Sequence, residues 1–387
     1  MPMILFDNKN RNNFSPLSLT KAIADFHFGV LTIKERWEFV LNENAFVHTN
    51  GYLQALYLLA PEGLHIWIDA AIIPTEKIIH QINNLSEGDV LVDEKGIVAG
   101  KSSKPFSDFN VTEVSPFFDK IISIENITRI EFPWELMQLN DAMIRSDFRL
   151  ITNSKKSQPI PSTIQVINAE NIFIEEGAKL QFCTLNASSG PIYIGKKAEV
   201  MEGTAIRGPF SLGYNSVIKI NSRIYGATTL GPYCMGGGEI KNSIMMGYSN
   251  KAHDGYMGDS VIGEWCNFGA GSTNSNLKNS AGDIQLWAMG LKQMVSVGQK
   301  CGLIMGDYSR LCINSSVNTG SVIGVSCNVF GAGLLPKRLP NFSWGIEGKK
   351  YNVETAVTDI NNWKKMKGKE MSVAEINTLK HIFQNES

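Results

Sequence analysis

The sequence predicts two regions of different architecture, an α/β domain followed by a left-handed parallel β-helix, with a helical tail at the end. Three observations support this. The second half repeats an aliphatic residue every six positions, the first half alternates strand-like and helix-like segments, and the C-terminal stretch has apolar residues at helical spacing. With 387 residues, 43% of them hydrophobic, the chain is long enough to bury more than one core.

The six-residue repeat is clearest from residue 194 onward. Aliphatic residues recur at Ile194, Val200, Ile206, Leu212, Ile218, Ile224 and Leu230, and again at Met305, Leu311, Val317, Ile323 and Val329. A small residue usually follows four positions later, and Gly195, Gly213 and Gly231 are spaced by eighteen. Three units per coil predict a three-sided prism of hexapeptide repeats with the aliphatic residues inside. Breaks in the frame around 232–256 and 275–293 predict loops, where function concentrates.

The cysteines fit the same repeat. All six lie in the second half, and none is arranged as a CxxC pair or a His-spaced cluster, so neither a zinc site nor a disulfide framework is expected. Four of them occupy the small position of the repeat: Cys234, Cys266, Cys301 and Cys327. We expect these four to pack as small apolar side chains.

The first half reads as strands and helices in alternation. MPMILFD predicts a strand, residues 19–42 a largely helical stretch, residues 62–73 a second strand and residues 74–85 a helix. This pattern predicts a Rossmann-like sheet. The predicted organisation is an α/β domain over 1–150, a polar linker with two prolines over 151–162, the β-helix over 163–345 and a helical tail over 346–387, with Val353, Val357 and Ile360 on one helix face.

The charge and hydropathy of the chain limit the classes of partner and the location that can be expected. Lys plus Arg (36) nearly equals Asp plus Glu (37), so the net charge of -1 predicts neither nucleic acid nor an anionic membrane surface as a partner. The N-terminus, MPMILFDNKN, has too short an apolar stretch for a signal peptide, and no apolar run is long enough to span a bilayer. We expect a cytoplasmic protein.

The most informative motif is residues 251–276, KAHDGYMGDSVIGEWCNFGAGSTNSN. It resembles the active region of the bifunctional N-acetylglucosamine-1-phosphate uridyltransferase / glucosamine-1-phosphate acetyltransferase family, which joins a nucleotidyltransferase domain to a hexapeptide β-helix. The resemblance implies that His253 is the general base of acyl transfer, a role that an imidazole suits near neutral pH. It also implies that Tyr256, Asn267 and Asn276 hold the acceptor sugar.

The phosphate-binding flank departs from the family. The family has arginines where this chain reads Leu230-Gly231-Pro232-Tyr233 and then Cys-Met and three glycines. Lys241 matches a phosphate-contacting lysine of the family, and Arg223 or Arg207 is the candidate replacement for the missing arginine. Because a lone lysine grips phosphate less specifically than arginine, the acceptor is left open between a sugar phosphate and a nucleotide sugar. A backbone N–H of the run 269–271 is the candidate oxyanion donor.

The N-terminus resembles sugar nucleotidyltransferases more loosely. After the first strand, Arg11, Pro16 and Lys21 match the family's phosphate-binding segment, but its glycines are absent. The resemblance implies nucleotide binding by Arg11 and Lys21 and a Mg²⁺ ion at Asp69. The domain is shorter than in active relatives, so active, altered and vestigial forms all remain open.

The leading hypothesis is therefore a transferase that moves an acetyl group from acetyl-CoA to an amino sugar, carried as a phosphate or a nucleotide, with His253 as base. Two alternatives stand beside it. One is a sugar-1-phosphate nucleotidyltransferase that uses Mg²⁺ in the N-terminal domain, and the other is a trimeric scaffold that binds nucleotide sugars without turnover. In each case the resemblance implies a homotrimer.

Overall fold

The structure, a computed structural model, describes residues 1–114 and 117–385. The first region is an α/β domain with these elements in chain order: β1 (Met3–Phe6), β2 (His27–Phe28), β3 (Leu31–Thr32), α1 (Ile33–Leu41), β4 (Ala45–His48), α2 (Gly51–Gln54), β5 (His65–Asp69), α3 (Glu76–Asn83), β6 (Asp89–Asp93), β7 (Gly96–Ser102), β8 (Lys120–Ser123) and α4 (Pro133–Thr152). Short 3₁₀ turns lie at Arg11–Phe14, Leu17–Leu19, Ile23–Asp25 and Phe106–Asp108.

The domain is built on one mixed sheet of strand order β4-β1-β5-β7-β6-β8, in which β7 alone runs antiparallel to its neighbours. The carboxyl ends of β1 and β5 meet at one edge, which brings Asp7 close to Asp69. The predicted strands at β1 and β5 and the helix α3 are confirmed. The predicted helical stretch over 19–42 is largely wrong, because Gly29 adopts a left-handed φ of 78° between β2 and β3, and the capping box of Thr32 starts the helix only there.

The second region is a parallel β-helix of three sheets. Sheet I consists of Ile172–Ile174, Ile192–Ile194, Phe210–Leu212, Thr228–Leu230, Ile244–Met245, Val261–Ile262, Leu303–Met305, Ser321–Ile323 and Arg338–Leu339. Sheet II consists of Lys179–Leu180, Glu199–Val200, Val217–Ile218, Met235–Gly236, Asn250–Lys251, Asn267–Phe268, Arg310–Leu311, Asn328–Val329, Ser343–Trp344 and the antiparallel Lys349–Lys350. Sheet III consists of Gln165–Ile167, Thr184–Asn186, Ala205–Arg207, Arg223–Tyr225, Glu239–Lys241 and Tyr256–Gly258, followed by the pair Thr273–Asn274 and Ser316–Val317.

The hexapeptide frame predicts this core correctly. Every aliphatic residue of the repeat is buried inside the prism, and the small-position cysteines Cys234, Cys266 and Cys327 pack beside them. Gly213 is needed because a Cβ there would lie 2.5 Å from the carbonyl carbon of Gly231 in the next coil.

The two breaks in the frame have different causes. Around 232–256 the coil shortens and no loop is inserted: Leu230 pairs with Met245 fifteen residues later, and Met245 pairs with Ile262. Around 275–293 the prediction of an inserted loop is confirmed, because Ile262 pairs next with Met305. This insertion contains an antiparallel hairpin, Gln285–Ala288 with Gln293–Ser296.

The two regions share one hydrophobic core. The outer side of sheet I packs against the α/β domain through Ile244, Val261 and Ile304, and the inserted hairpin adds Leu286 to the same cluster. Helix α4 lies across sheet I. The buried amide oxygen of Asn140 on this helix accepts a hydrogen bond from Thr229 Oγ1 at 3.1 Å. The α/β domain is thus fixed along one face of the prism.

The tail forms two helices, as predicted: α5 (Val353–Lys365) and α6 (Val373–Asn385). They pack on the chain's own prism, where Ile360 and Ile382 meet Trp265 and Tyr308 in one buried cluster. On α6, His381 stacks on Tyr52 of the α/β domain with ring centroids 4.2 Å apart. The tail therefore contacts both regions of the molecule.

Candidate active site

His253 lies at the corner between sheets II and III, in a turn of residues 252–255 that we call the His253 turn. Its side chain is exposed, and its imidazole has no hydrogen-bond partner among the described residues. The turn is held from inside by Lys251, whose Nζ donates to the carbonyl oxygens of Gly237 at 3.0 Å and His253 at 2.6 Å. Burial lowers the pKa of Lys251 to about 8, in spite of nearby Asp254. The corner thus combines a free imidazole with a fixed backbone.

Glycines make this corner possible. A Cβ on Gly237 would lie 2.3 Å from the carbonyl oxygen of Ala252, and one on Gly238 would lie 2.9 Å from the carbonyl oxygen of His253. The three consecutive glycines that replace the family's arginine flank therefore have a steric role: they allow the coil above to approach the His253 turn.

Two of the predicted binding residues lie on strands of sheet III, beside the His253 turn, and a third follows the strand Thr273–Asn274. Tyr256 and Lys241 are on adjacent paired strands, and Asn276 follows in the next coil. The amide of Asn276 donates to the carboxylate of Asp259, which is buried and also accepts from Asn242 Nδ2 at 2.6 Å. Burial and then Asp259 raise the pKa of Tyr256 to about 12, so the tyrosine stays a neutral donor at physiological pH.

Asn267 lies elsewhere. It is on sheet II, paired with Asn250, around the corner from Tyr256. The side chain of Asn250 accepts a hydrogen bond from Lys367 of the tail at 3.3 Å. Within one chain, therefore, Asn267 and Tyr256 flank the His253 turn from different faces of the prism.

The glycine run 269–271 offers one free amide. The amide of Gly269 donates to the carbonyl of Leu311 at 2.9 Å, and that of Gly271 donates to the carbonyl of Asp254 at 3.1 Å. The amide of Ala270 has no acceptor among the described residues, so it is the member of the run that remains available to an oxyanion.

Arg11 in the α/β domain is buried, and its guanidinium is engaged within the domain. Its Nε donates to Asp7 Oδ2 at 2.9 Å, and its Nη2 donates to the carbonyls of Ser18 and Lys21. These bonds hold the segment between β1 and Ile23 in one conformation. The guanidinium is therefore engaged in hydrogen bonds inside the protein.

Lys21 is also buried, and it pairs with the prism. Its Nζ lies 2.9 Å from Asp307 Oδ2 and 3.3 Å from Glu264 Oε2, and Thr20 Oγ1 donates to Asp307 at 2.7 Å. Burial alone would lower the pKa of Lys21, but the carboxylates of Asp307 and Glu264 outweigh it and raise the pKa. Lys21 therefore acts as a cation between the two regions.

Asp69 does not fit a Mg²⁺ site. Its carboxylate has no solvent exposure, lies 3.0 Å from Arg129 Nε and accepts from Asn8 Nδ2 and the amide of Ala71. Burial raises the pKa of Asp69 to about 6, although Arg129 opposes the shift. An arginine already occupies the position that a cation would need. Among the described residues, no group of three or more His, Cys, Asp or Glu side chains is placed to hold a metal ion.

The sequence did not identify the supporting residues Lys251, Asp259 and Asp307. One signal was present: Glu264 and Asp307 each follow a glycine at the same position of adjacent coils, which puts two carboxylates on one edge of the prism. A partner cation was therefore to be expected.

In the part of the chain that the structure describes, no helix is long and apolar enough to cross a membrane.

Comparison with known proteins matches both regions. Residues 3–156 match the family model for sugar nucleotidyl transferase, so this part of the chain is similar to that family. The chain is also similar in sequence to proteins named as bifunctional transferases, as the motifs predict. It is 34% identical to a bifunctional sugar-1-phosphate nucleotidylyltransferase/acetyltransferase of Sulfurisphaera tokodaii over 152 residues, 36% of this chain and 35% of that protein.

Two proteins named bifunctional protein GlmU are also similar. The one from Synechococcus elongatus is 21% identical over 270 residues, 64% of this chain and 54% of that protein. The one from Methanocaldococcus jannaschii is 37% identical over 89 residues, 23% of this chain and 21% of that protein. The chain thus spans about half or less of the length of these relatives.

Proposed function

We propose that this protein is an acyltransferase that acetylates an amino sugar at the corner of the prism. The observation that carries the proposal is the exposed, unpartnered imidazole of His253 beside Tyr256, Lys241 and Asn276 on a glycine-supported turn. The name of the Sulfurisphaera tokodaii relative, which includes acetyltransferase, supports the same interpretation. The acceptor is an amino sugar carried as a phosphate or as a nucleotide, and the donor is acetyl-CoA.

The chemistry needs one base and one oxyanion donor. A ring nitrogen of His253 takes a proton from the acceptor amine, and the lone pair of the amine nitrogen attacks the thioester carbonyl. This attack forms the C–N bond and turns the carbonyl oxygen into an oxyanion, whose stabilisation we assign to the free amide of Ala270. When the oxyanion collapses, the C–S bond breaks and the imidazolium returns its proton to the departing thiolate. The products are the N-acetylated sugar and free coenzyme A.

Acetyl-CoA is a substrate here, and its phosphates need cations. Lys278 comes two residues after Asn276, and Lys337 precedes Arg338, whose guanidinium lies 4.4 Å from the ring centroid of Trp287 in the inserted hairpin. Burial, and then the charge of Lys278, lower the pKa of Lys337. We assign the donor's phosphates to this end of the site.

The oligomer we propose is a homotrimer that meets at the His253 corner. The register of sheet II, continued past each strand, puts Phe182, Ile220 and Ile313 in the same column as His253. Each of the three apolar side chains is more than half exposed. Apolar residues on both sides of an exposed candidate base favour burial against a second copy of the chain, which would enclose the site.

The N-terminal domain serves a structural role in this proposal. The residues that match the nucleotidyltransferase pattern are buried, and each is paired with another protein group: Arg11, Lys21 and Asp69. Their geometry gives no support for nucleotidyl transfer with Mg²⁺.

The test is an assay of the purified protein with labelled acetyl-CoA and a panel of hexosamine phosphates and nucleotide-linked amino sugars. We expect acetyl transfer to at least one acceptor. Nucleoside triphosphates with sugar 1-phosphates and Mg²⁺ should give no nucleotide sugar. Light scattering after size exclusion should give the mass of a trimer. A monomer, or the absence of acetyl transfer to every acceptor, would contradict the proposal.

A further inference from the structure

A groove of about 500 Å³ lies on the outer surface of sheet III, above the candidate site. Its lining includes Thr184, Asn186, Arg207, Arg223 and Tyr225. These residues belong to the same sheet that carries Lys241 and Tyr256, and the strand register puts them in continuous outward rows. The groove and the candidate site are therefore parts of one surface strip.

The strip is basic and its charges are arranged in a line. Along one row Arg207, Tyr225 and Lys241 are direct register partners on adjacent strands, and along the other row Arg223 is the partner of Glu239. Three cations thus face one carboxylate. Because the whole chain carries a net charge of -1, this local excess stands out from the average surface. A basic strip of this kind favours an anionic ligand.

Two of these side chains are held in position before any ligand binds. Glu239 pairs with Arg223 Nε at 3.5 Å and accepts a hydrogen bond from the hydroxyl of Tyr225. Arg207 is exposed and forms no ion pair with any described residue. The backbone amide of Arg223 donates to the carbonyl of Gly238 at 2.8 Å, and Gly238 packs against the His253 turn. The strip therefore begins beside the His253 turn and ends at an unpaired guanidinium.

The length of the strip indicates the size of the ligand. Adjacent strands are about 4.8 Å apart, so three strand spacings separate Tyr256 from Arg207 by roughly 14 Å, and the groove extends one strand further. This is longer than a hexose monophosphate. It suits a ligand in which a sugar, two phosphates, a ribose and a base follow one another.

We infer that the acceptor is a nucleotide sugar, whose diphosphate binds Arg223 and Arg207 and whose nucleoside lies in the groove one strand further, beside Thr184 and Asn186. The inference rests on the proposed acetyl transfer and specifies its acceptor. A planar guanidinium can bind phosphate oxygens in bidentate fashion, and the Thr184 hydroxyl and the Asn186 amide offer hydrogen-bonding groups to a nucleoside. The amino sugar then reaches Tyr256 and His253.

The experiment is calorimetry on the full-length protein with UDP, dTDP, GDP, CDP and ADP as probes, and glucosamine 1-phosphate for comparison. We expect at least one nucleoside diphosphate to bind. Arg207→Ala should weaken that binding roughly tenfold or more, because a charge-assisted hydrogen bond to phosphate is lost. It should leave glucosamine 1-phosphate binding unchanged. Arg149→Ala, at an exposed arginine on α4 away from the strip, is the matched control and should have no effect.

Three results would overturn the inference. Binding of glucosamine 1-phosphate without any nucleoside diphosphate would make the acceptor a sugar phosphate and leave the proposed acetyl transfer intact. Nucleoside diphosphate binding that is insensitive to Arg207→Ala but lost in Asn8→Ala would move the nucleotide to the N-terminal domain. Displacement of the nucleoside diphosphate by desulfo-coenzyme A would make the strip a donor site. Acetyl transfer, assayed separately, reports on the proposed function itself.

Discussion

The two regions of this molecule each contain a motif of a transferase family, but the motif side chains have opposite environments. In the α/β domain, Arg11, Lys21 and Asp69 are at most 5% exposed and bound to neighbouring protein groups. In the prism, His253 is exposed and its side chain has no hydrogen-bond or ion-pair partner among the described residues, and Lys241 is half-buried at the surface. A motif match alone does not distinguish these cases. The difference lies in whether the matched side chain is available to a ligand.

The largest expected effect is on turnover. His253→Ala should reduce acetyl transfer about 100- to 10,000-fold, the usual contribution of a general base. The melting temperature should stay nearly constant, because the exposed imidazole makes no hydrogen bond to any described residue. Steady-state kinetics and thermal unfolding measure the two quantities. His80→Ala, at an exposed histidine on α3, should change neither. Undiminished acetyl transfer in His253→Ala would exclude the proposed base.

The second effect is on stability, and it concerns the opposite motif. Lys21→Met leaves Asp307 buried without its cation, so we expect the free energy of unfolding to fall by about 3–5 kcal/mol. Denaturant unfolding measures the loss. Lys365→Met breaks an exposed pair with Glu370 and should cost less than about 1 kcal/mol. If Lys21→Met has the same free energy of unfolding as the wild type but no longer binds a nucleotide, then Lys21 is a ligand-binding residue, and the contrast between a structural motif in the α/β domain and an available one in the prism is wrong.

The third effect depends on pH. Because burial lowers the pKa of Lys251 to about 8, the unfolded chain holds the proton between about pH 8 and 10.5 while the folded chain has lost it. Stability from this group therefore rises with pH over that window. We expect the wild type to gain up to about 3 kcal/mol relative to Lys251→Met between pH 7.5 and 10. A constant difference across this range would show that Lys251 titrates normally.

The smallest effect is on acceptor binding. Asn276→Ala removes the amide that bonds to Asp259 beside Tyr256, and we expect a several-fold to tenfold increase in KM for the acceptor with little change in kcat. Asn385→Ala, at an exposed asparagine near the end of α6, is the control and should leave both constants unchanged. A fall in kcat alone would place Asn276 in the chemical step.

The prism was predictable because its period is written directly into the sequence. In the two regular blocks, Ile194 to Leu230 and Met305 to Val329, each buried aliphatic follows from six-residue spacing, which fixes its strand, its face and its neighbour. The structure of the segment 19–42 was not predictable in this way, because the left-handed turn at Gly29 and the helix cap at Thr32 interrupt a stretch of helix-forming residues. Local propensity does not show where tertiary contacts end a helix.

The candidate site was predictable in part for the same reason. The coil spacing brings Lys241 and Tyr256 to adjacent strands of sheet III. Asn267 lies on sheet II, on another face of the prism. A motif read along the sequence does not show at which residue the chain turns from one face of the prism to the next. The partner of Lys21 is Asp307, nearly 300 positions away in the chain. Such a contact depends on how the α/β domain packs against the prism, and a local sequence pattern does not predict that packing.

The cluster that joins sheet I to the α/β domain limits how the chain can be divided. An isolated prism cut before residue 163 would present Ile244, Val261, Ile304 and Val322 to water as an apolar stripe, with the hairpin residue Leu286 beside them. During synthesis the α/β domain emerges first and lacks these partners until the ribosome has passed residue 322. We therefore expect the α/β domain and the prism to unfold together, and we expect either half to aggregate through this apolar stripe when it is expressed alone.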